Sequence, residues 1–318
     1  MNELPPVILG IGELLWDVLP DGVRLGGAPA NFAVMAGRLG NRAAILSRIG
    51  RDDLGRQAID RLKSMPVETN LIQVDATHET GRVRVSFEGD EPHYTIHKPA
   101  AWDFLELSEE WIKLIERADA ICFGTLAQRD PKSRQTIQSL VAQTSAACVR
   151  VFDVNLRAPF YSAEVIMESL ELASVVKLND AELPLVHDLL ELDLNAAPMD
   201  GPHAGTDLIR LAAERLLARY PTLQMVAITR GARGSLIVTR DEWNGHRGFP
   251  VKFADGIGAG DAFTAALIHY MLRGAGLATL NEAANRWGSW IASQSGAMPA
   301  LPDSARDAIA AEIEKTTN

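Results

Sequence analysis

The sequence predicts an α/β fold with a mostly parallel central sheet covered by helices on both faces. Short β-branched runs alternate with segments of helical periodicity along most of the chain, which is typical of repeated βαβ units. The chain has 318 residues, of which 47% are hydrophobic, so a large core can be buried. We therefore expect one three-layer α/β/α domain over residues 1–318.

Continuous apolar runs bounded by turn residues predict the buried strands of this sheet. They lie at residues 7–11, 43–49, 120–123, 149–153, 175–178 and 225–229. Apolar side chains at helical spacing predict a helix with Pro29 in its first turn and Gly40 at its C-terminal end. The same spacing predicts a second helix that begins near Asp261 and ends near Gly274.

Two segments, residues 15–26 and 80–98, break this alternation. Each has short runs of period two on either side of a turn, at residues 20–22 and 88–92 respectively. We expect two β-hairpins that form a small antiparallel sheet, which could cover a pocket as a lid. Ordinary surface hairpins are the alternative.

Composition excludes several classes of function. The chain carries 31 Lys and Arg against 41 Asp and Glu, a net charge of −10, which disfavours a nucleic-acid binder. Cys122 and Cys148 lie in apolar stretches and predict buried thiols in a reducing compartment, with no structural zinc. No basic residue precedes Arg24, so the N-terminal residues do not look like a secretion signal, and no apolar run approaches the ~20 residues of a membrane helix. We expect a cytoplasmic protein that does not bind membranes.

The most informative segment is a glycine-rich loop, residues 255–263 (DGIGAGDAF), that leads directly into the second helix. Free backbone amides at the N-terminus of that helix, with the helix dipole behind them, would form an anion site. Asp261 beside that site could take a proton from a hydroxyl that attacks a bound phosphoryl group. Its alternative role is to stabilise the first turn of the helix.

Two other nucleotide-binding motifs do not fit. The P-loop pattern GxxxxGK[ST] is absent from the chain. Gly10 and Gly12 follow the first strand, but Leu15 occupies the third glycine position of GxGxxG, so a nicotinamide enzyme is only a weak alternative.

Three motifs, in this order along the chain, resemble those of the ribokinase-like (PfkB) carbohydrate kinases, most closely their fructokinase branch. They are residues 25–33 (LGGAPANFA), 48–55 (RIGRDDLG) and 258–261 (GAGD). The resemblance covers nearly the whole chain and implies a ribokinase-like fold. It also implies transfer of the γ-phosphate of ATP, with Mg²⁺, to a hydroxymethyl group of a small sugar.

Fructose is the leading acceptor that the resemblance implies. Alternative acceptors are 2-keto-3-deoxygluconate, ribose and a nucleoside. A non-catalytic sugar-binding protein with a kinase fold is the alternative from another functional class. The resemblance further implies a possible homodimer formed through the lid.

The resemblance also assigns residues. It implies that Asp261 is the catalytic base and that the amides of Gly258, Ala259 and Gly260 stabilise the transferred phosphoryl group. For the sugar it implies contacts from Asp17, Gly26, Gly27, Asn31, Asn155 and Arg157. For the nucleotide it implies Asn179, Glu182, Thr229, Arg230, Gly231 and Gly234.

The metal, nucleotide and K⁺ roles that the resemblance implies each have a competing observation in the sequence. Glu182 is implied to hold Mg²⁺ through water, yet Asn179 and Glu182 also have the spacing of a helix capping box. Residues 229–234 also suit a tight turn. Many relatives have a K⁺ site near the glycine-rich loop, but Gly256 stands where the family usually has threonine, which leaves K⁺ only a candidate cofactor.

Overall fold

The computed structural model describes residues 4–19, 22–88, 91–192 and 204–317. The strands are β1 (Val7–Ile11), β2 (Leu15–Leu19), β3 (Gly22–Gly26), β4 (Arg42–Leu46), β5 (Arg48–Gly50), β6 (Gln73–Asp75), β7 (Gly81–Glu88), β8 (Glu91–Ile96), β9 (Ala120–Gly124), β10 (Val149–Asp153), β11 (Val175–Asn179), β12 (Met225–Thr229), β13 (Ser235–Thr239) and β14 (Trp243–His246). The helices are α1 (Ala28–Arg38), α2 (Asp53–Leu62), α3 (Glu109–Ile115), α4 (Pro131–Ala142), α5 (Ala163–Leu172), α6 (Glu182–Leu189), α7 (Ala204–Arg219), α8 (Ala259–Met271), α9 (Leu277–Ala292) and α10 (Asp303–Thr317).

The central sheet is mostly parallel, as the alternation of strands and helices predicts. Its strand order is β14-β13-β12-β11-β10-β9-β1-β4, and only the pairs β12–β13 and β13–β14 are antiparallel. Five of the six predicted strands lie in this sheet within one residue of their expected ends. The antiparallel edge, β13 and β14, was not among the predicted strands.

The sixth prediction, a single strand over residues 43–49, is wrong. The chain leaves the central sheet after Leu46, and Arg48–Gly50 pairs instead with β6 in a separate two-stranded sheet. At the break, the Ser47 hydroxyl donates a hydrogen bond to the carbonyl oxygen of Gly12 at 2.7 Å. This side-chain bond turns the backbone away, which an apolar run alone does not reveal.

Both faces of the central sheet are covered by helices. Leu9 and Ile11 of β1 pack in a core with α3 to α7, whereas Ile8 packs in a second core with α1, α8, α9 and α10. Because successive side chains of a strand point to opposite faces, both sets are buried and the strands read as continuous apolar runs. Cys122 and Cys148 are buried free thiols in these cores, as expected.

The two helix predictions based on periodicity are confirmed. Pro29 lies in the first turn of α1, and Gly40, with φ 88°, follows its last turn. Gly274, with φ 74°, follows α8 and donates its N–H to the Met271 carbonyl. Both glycines adopt the left-handed conformation that commonly ends a helix.

The two predicted hairpins form a second, four-stranded sheet of order β3-β2-β7-β8, which we call the lid sheet. Each hairpin is antiparallel, as expected, and the pair β2–β7 that joins them is parallel. The centres of the two predicted turns, residues 20–21 and 89–90, lie outside the described residues. In the described part of the chain, no helix has the length and apolar character needed to cross a bilayer.

Candidate active site

Several predicted site residues meet beside the carboxyl ends of the parallel strands, where open α/β sheets place ligands. Asp261 lies in the first turn of α8 and Asn31 in α1, two helices that pack against each other. Asp17 comes from β2 of the lid sheet, and Arg157 follows β10. The site is therefore built from the central sheet, two helices and the lid.

The glycine-rich loop is shaped by close backbone contacts. Gly258, the N-cap of α8, has φ 78°, and a Cβ there would lie 2.8 Å from the Cα of Ala297. A Cβ at Gly260 would lie 2.9 Å from the Lys177 ammonium. Position 258 therefore requires glycine, whereas a side chain at position 260 would press on the Lys177 ammonium, and the loop amides can approach a ligand closely. One of the three predicted anion-binding amides, that of Ala259, donates a long bond of 3.3 Å to Gly256 within the turn.

Asp261 is a buried carboxyl with one side-chain hydrogen-bond partner among the described residues. The Asn31 amide donates to Asp261 Oδ2 at 2.7 Å. Burial, followed by repulsion from Asp153, raises the pKa of Asp261 to about 6, although Lys177, the Asn31 bond and Arg157 oppose the rise. A carboxyl with this pKa is ionised at neutral pH and basic enough to accept a proton.

Asn31 has unused hydrogen-bonding capacity. Its side chain is buried, and its Oδ1 has no hydrogen-bond partner among the described residues. A buried amide oxygen without a partner is costly in free energy, so a donor such as a ligand hydroxyl would stabilise it. Because the Nδ2 of the same amide holds Asp261, a ligand on Oδ1 would lie close to that carboxyl.

Gly26 and Gly27 allow the lid strands to approach α1. A Cβ at Gly26 would lie 2.9 Å from Asp17 Oδ2. A Cβ at Gly27, where φ is 112°, would lie 2.3 Å from the carbonyl oxygen of Glu13. The glycine pair therefore lets the chain pass close to the Asp17 carboxyl and to the backbone of Glu13 before α1 begins.

Arg157 supplies positive charge to this group of carboxyls. Burial raises the pKa of Asp17 to about 6, and the charges of Arg157 and then Arg24 lower it. The charge of Arg157 also lowers the pKa of Glu13 and that of Asp261. Nearby Asn155 has φ 36°, a strained conformation for a residue other than glycine. The structure thus brings Asp17, Asn31, Arg157 and Asp261 together.

Asn179 and Glu182 cap the start of α6 by reciprocal bonds. Asn179 Oδ1 accepts the N–H of Glu182 at 2.8 Å, and Glu182 Oε2 accepts the N–H of Asn179 at 2.8 Å. Glu182 Oε1 accepts the N–H of Leu156 at 2.9 Å. Because both carboxylate oxygens already accept amides, Glu182 suits a metal held through water better than a direct ligand. The described residues contain no cluster of three metal-ligating side chains.

Residues 229–234 form a tight turn between β12 and β13. The sequence predicts such a turn as the alternative to a nucleotide-binding role for this segment. The N–H of Arg230 donates to the Gly234 carbonyl at 2.7 Å. The Arg230 guanidinium lies 3.4–3.5 Å from the carbonyls of His246 and Ser235 and from the Thr206 hydroxyl, so it is held by groups of the protein itself. Arg233 pairs with Asp180. The nucleotide roles of Thr229, Arg230, Gly231 and Gly234 stay predictions.

A buried ion pair under the glycine-rich loop was missed by the sequence analysis. Lys177 Nζ lies 3.1 Å and 3.2 Å from the two Asp153 oxygens, and both side chains are less than 10% exposed. Burial lowers the pKa of Lys177, but Asp153, Glu182 and Asp261 together outweigh it and raise the pKa. The available signal was a lysine inside a predicted buried strand, which needs a charged partner.

Glu13 is a second missed carboxyl. It follows β1, and its Oε1 accepts the N–H of Ala28 at the start of α1. Its Oε2 is buried without a hydrogen-bond partner among the described residues. Burial raises the pKa of Glu13 to about 7, against the bonds it accepts from its own backbone and from Ala28.

Glu13→Gln is expected to change how stability depends on pH. The raised pKa means that the native protein keeps a proton that the unfolded chain releases above pH ~4.5. The free energy of unfolding therefore decreases as pH rises from 4.5 to 7, by up to on the order of 2–3 kcal/mol, because ionisation of Glu13 favours the unfolded chain. Urea unfolding should show the variant gaining stability relative to the native chain across that range. A difference that does not change with pH would contradict the shift.

Comparison with known proteins gives consistent results. The family model for "pfkB family carbohydrate kinase" matches residues 21–304. The fructokinase of Escherichia coli is 29% identical over 318 aligned residues, covering 92% of this chain and 95% of the relative. The crystal structure of a sugar kinase from Pyrococcus horikoshii has a TM-score of 0.80 at 25% identity, covering 98% of this chain and 100% of the other. That protein has also been crystallised with ATP.

A third comparison concerns a structure with ligands. The fructokinase of Vibrio cholerae O395, solved with bound fructose, ADP and calcium, has a TM-score of 0.76 at 26% identity. The alignment covers 99% of both chains. The fold of the whole chain, including the lid sheet, is therefore similar to that of sugar kinases.

Proposed function

Because the chain belongs to the pfkB family of carbohydrate kinases and is a sugar kinase, we propose that it phosphorylates fructose with ATP and that Asp261 is the base. The observation that carries the proposal is the buried Asn31–Asp261 pair. The Asn31 Oδ1 has no hydrogen-bond partner among the described residues and can accept a hydroxyl, and the adjoining Asp261 carboxyl has a pKa of about 6. Fructose is preferred because the E. coli and V. cholerae relatives are fructokinases.

The reaction that this geometry supports is an in-line phosphoryl transfer. A hydroxymethyl oxygen of the sugar attacks the γ-phosphorus and forms the new O–P bond, while the bond from phosphorus to the β,γ-bridging oxygen breaks. The hydroxyl proton passes to the Asp261 carboxylate, and ADP leaves with the electron pair of the broken bond. Amides of the 258–260 loop and the N-terminus of α8 stabilise the negative charge on the phosphoryl oxygens.

The other residues orient the two substrates. Asp17 accepts hydrogen bonds from sugar hydroxyls, and Asn31 accepts one on Oδ1 while it holds Asp261. Arg157 draws the phosphates toward carboxyls that would otherwise repel them. Closure of the lid sheet over the sugar excludes water, the competing acceptor.

Magnesium fits the charge of this site. One ammonium, Lys177, faces the carboxyls of Asp153, Glu182 and Asp261, which leaves an excess of negative charge beside the phosphate loop. Mg²⁺ keeps several waters and binds mainly substrate phosphates, so Glu182 can hold it through water. When bound, the ion would neutralise charge on the phosphates.

The pH dependence of activity should reflect Asp261. Its pKa of about 6 means that the ionised, basic form is lost as pH falls through 6. We expect kcat/KM for the sugar, at saturating MgATP, to be constant above pH 7 and to decrease below 6. Asp17 has a similar pKa, so the Asp17→Asn variant is the control and should retain an inflection. A profile that is flat down to pH 5 would exclude a base with this pKa.

The acceptor is tested by a coupled assay of ADP release over a panel of sugars. We expect fructose to give the highest kcat/KM, with 2-keto-3-deoxygluconate, ribose and a nucleoside as competitors. Turnover with another acceptor but not with fructose would replace fructose in the proposal. Thermal stabilisation by a sugar without any ATP turnover would instead indicate a binding protein.

The homodimer suggested by the family resemblance is part of the same proposal. Strand β3 is one edge of the lid sheet, and Val23 on it is 45% exposed, so this edge could pair with a second copy. Sedimentation at micromolar concentration tests it, and a monomer would refute it.

A further inference from the structure

We propose that Arg24 is a positioning residue that couples sugar binding at Asp17 to the arrangement of the phosphate-binding loop at Asp255. The proposal rests on the proposed function, because it assumes that the sugar binds at Asp17 and the nucleotide at residues 258–260. Arg24 belongs to the lid, and its partner belongs to the loop before α8. The contact therefore joins two substrate sites that are 231 residues apart in the sequence.

On the sugar side, Arg24 stands opposite Asp17. The two residues are paired in the antiparallel register of β2 and β3, with side chains on the same face of the lid sheet. The positive charge of Arg24 acts on the Asp17 carboxyl and favours its ionised form, which accepts hydrogen bonds. Arg24 also precedes the glycine pair that leads the chain into α1.

On the phosphate side, Arg24 reaches a carboxylate that holds the loop. Arg24 Nη1 lies 3.4 Å from Asp255 Oδ2. The same Asp255 accepts the N–H of Ile257 on Oδ1 at 3.0 Å and that of Gly296 on Oδ2 at 2.7 Å. Asp255 thus fixes the start of the glycine-rich loop against the segment after α9, and Gly258 packs on that segment at Ala297.

The Arg24–Asp255 pair is suited to a change of position rather than to static support. Its side chains are 32% and 21% exposed, and ion pairs of this kind contribute little to folding stability. A cavity of about 290 Å³ lies beside the pair, lined by Arg24, Arg61 and residues 295–300. The guanidinium therefore has room to move away from Asp255 when the lid moves.

A bound sugar would prevent this movement of the Arg24 guanidinium away from Asp255. Hydrogen bonds from sugar hydroxyls fix the ionised Asp17 of the lid sheet in place, and Arg24 is then held between the carboxylates of Asp17 and Asp255. Through Arg24, the loop that begins at Asp255 is then held in the conformation that presents the 258–260 amides. Nucleotide binding therefore loses less conformational entropy, because the loop is already ordered. Because coupling between two sites is reciprocal, bound nucleotide must strengthen sugar binding by the same factor.

The test measures binding, separately from turnover. The dissociation constant of Mg·ADP is measured by calorimetry without sugar and with saturating sugar, for the native protein and for Arg24→Met. We expect sugar to tighten Mg·ADP binding in the native protein by a factor on the order of 5 to 150, the usual range of coupling between sites. In Arg24→Met the factor should approach 1, and Arg24→Lys should restore part of it.

Arg61→Met is the matched control. Arg61 lines the same cavity, and its side chain makes no hydrogen bond or ion pair with another described residue, so its removal should leave the coupling factor unchanged. Asp255→Asn should reproduce the loss seen in Arg24→Met. The proposal would be overturned if the coupling factor of Arg24→Met equalled that of the native protein. It would also be overturned if Arg61→Met lost as much coupling as Arg24→Met. The sugar used is the one that the turnover panel identifies, so failure of the proposed function appears in that panel and failure of this inference appears only in the binding ratio.

Discussion

Replacing Asp261 with asparagine is expected to lower kcat by about 10²- to 10⁴-fold, the usual contribution of a positioned base. The asparagine oxygen can still accept the Asn31 amide, so the local geometry is retained. An amide cannot accept the proton that the attacking hydroxyl must lose. Steady-state measurement with MgATP and the preferred sugar gives the change in kcat, and the KM values should change much less.

The variant should also fold without loss of stability. The pKa of Asp261 is raised from 3.8 to about 6 by burial, so the ionised carboxylate costs native stability at neutral pH, and asparagine removes that cost. Asp53→Asn is the matched control, because Asp53 also lies in the first turn of a helix but is exposed. It should keep native turnover. If Asp261→Asn turned over within about tenfold of the native rate, general-base catalysis of the usual size would be excluded.

Replacing Lys177 with methionine is expected to lower the free energy of unfolding by about 3–5 kcal/mol at neutral pH, the usual cost of removing one partner of a buried ion pair. Asp153 would be left as a buried charge without its ammonium, close to the carboxyls of Glu182 and Asp261. The loss should become smaller as pH falls below about 6, where the Asp261 carboxyl, whose pKa is about 6, takes up a proton and no longer repels Asp153. Urea unfolding at neutral pH and at pH 5 measures it.

Two further variants separate this explanation from a general packing defect. The double variant Lys177→Met/Asp153→Val replaces both charges with apolar groups and should recover much of the stability. Lys132→Met removes the ammonium of an exposed pair, with Glu106, and should cost no more than ~1 kcal/mol. If the double variant were less stable than Lys177→Met, the penalty would not come from the unpaired Asp153 charge.

The sequence was sufficient for features that depend on local pattern. Buried strands show as apolar runs, and the turns at Gly40 and Gly274 show because a left-handed residue must end the helix there. The period-two runs located the two hairpins of the lid sheet, and Asp17, Asn31 and Asp261, which the resemblance assigned to the site, do lie together. The strands and the helix ends are determined by neighbouring residues, whereas the meeting of Asn31 and Asp261, 230 residues apart, was predicted only from the family resemblance.

Features that depend on register or on long-range contacts could not be predicted. Lys177 and Asp153 meet because parallel pairing places them opposite each other in β11 and β10, and no local pattern fixes that register. The break at Ser47 arises from a hydrogen bond to a residue 35 positions away. The direction of the Arg230 side chain, toward carbonyls of β13 and β14, likewise depends on the packed edge of the sheet.

The most direct test of the proposed mechanism is a single-turnover experiment on Asp261→Asn. Excess enzyme is mixed with labelled ATP, Mg²⁺ and saturating sugar, and phosphorylated sugar is measured by rapid quench. Because product release does not contribute, the observed rate is that of phosphoryl transfer itself. We expect this rate to fall by at least about 10²-fold relative to the native enzyme, while calorimetry shows sugar and Mg·ADP still bound. Transfer at the native rate would contradict the assignment of Asp261 as the group that accepts the proton.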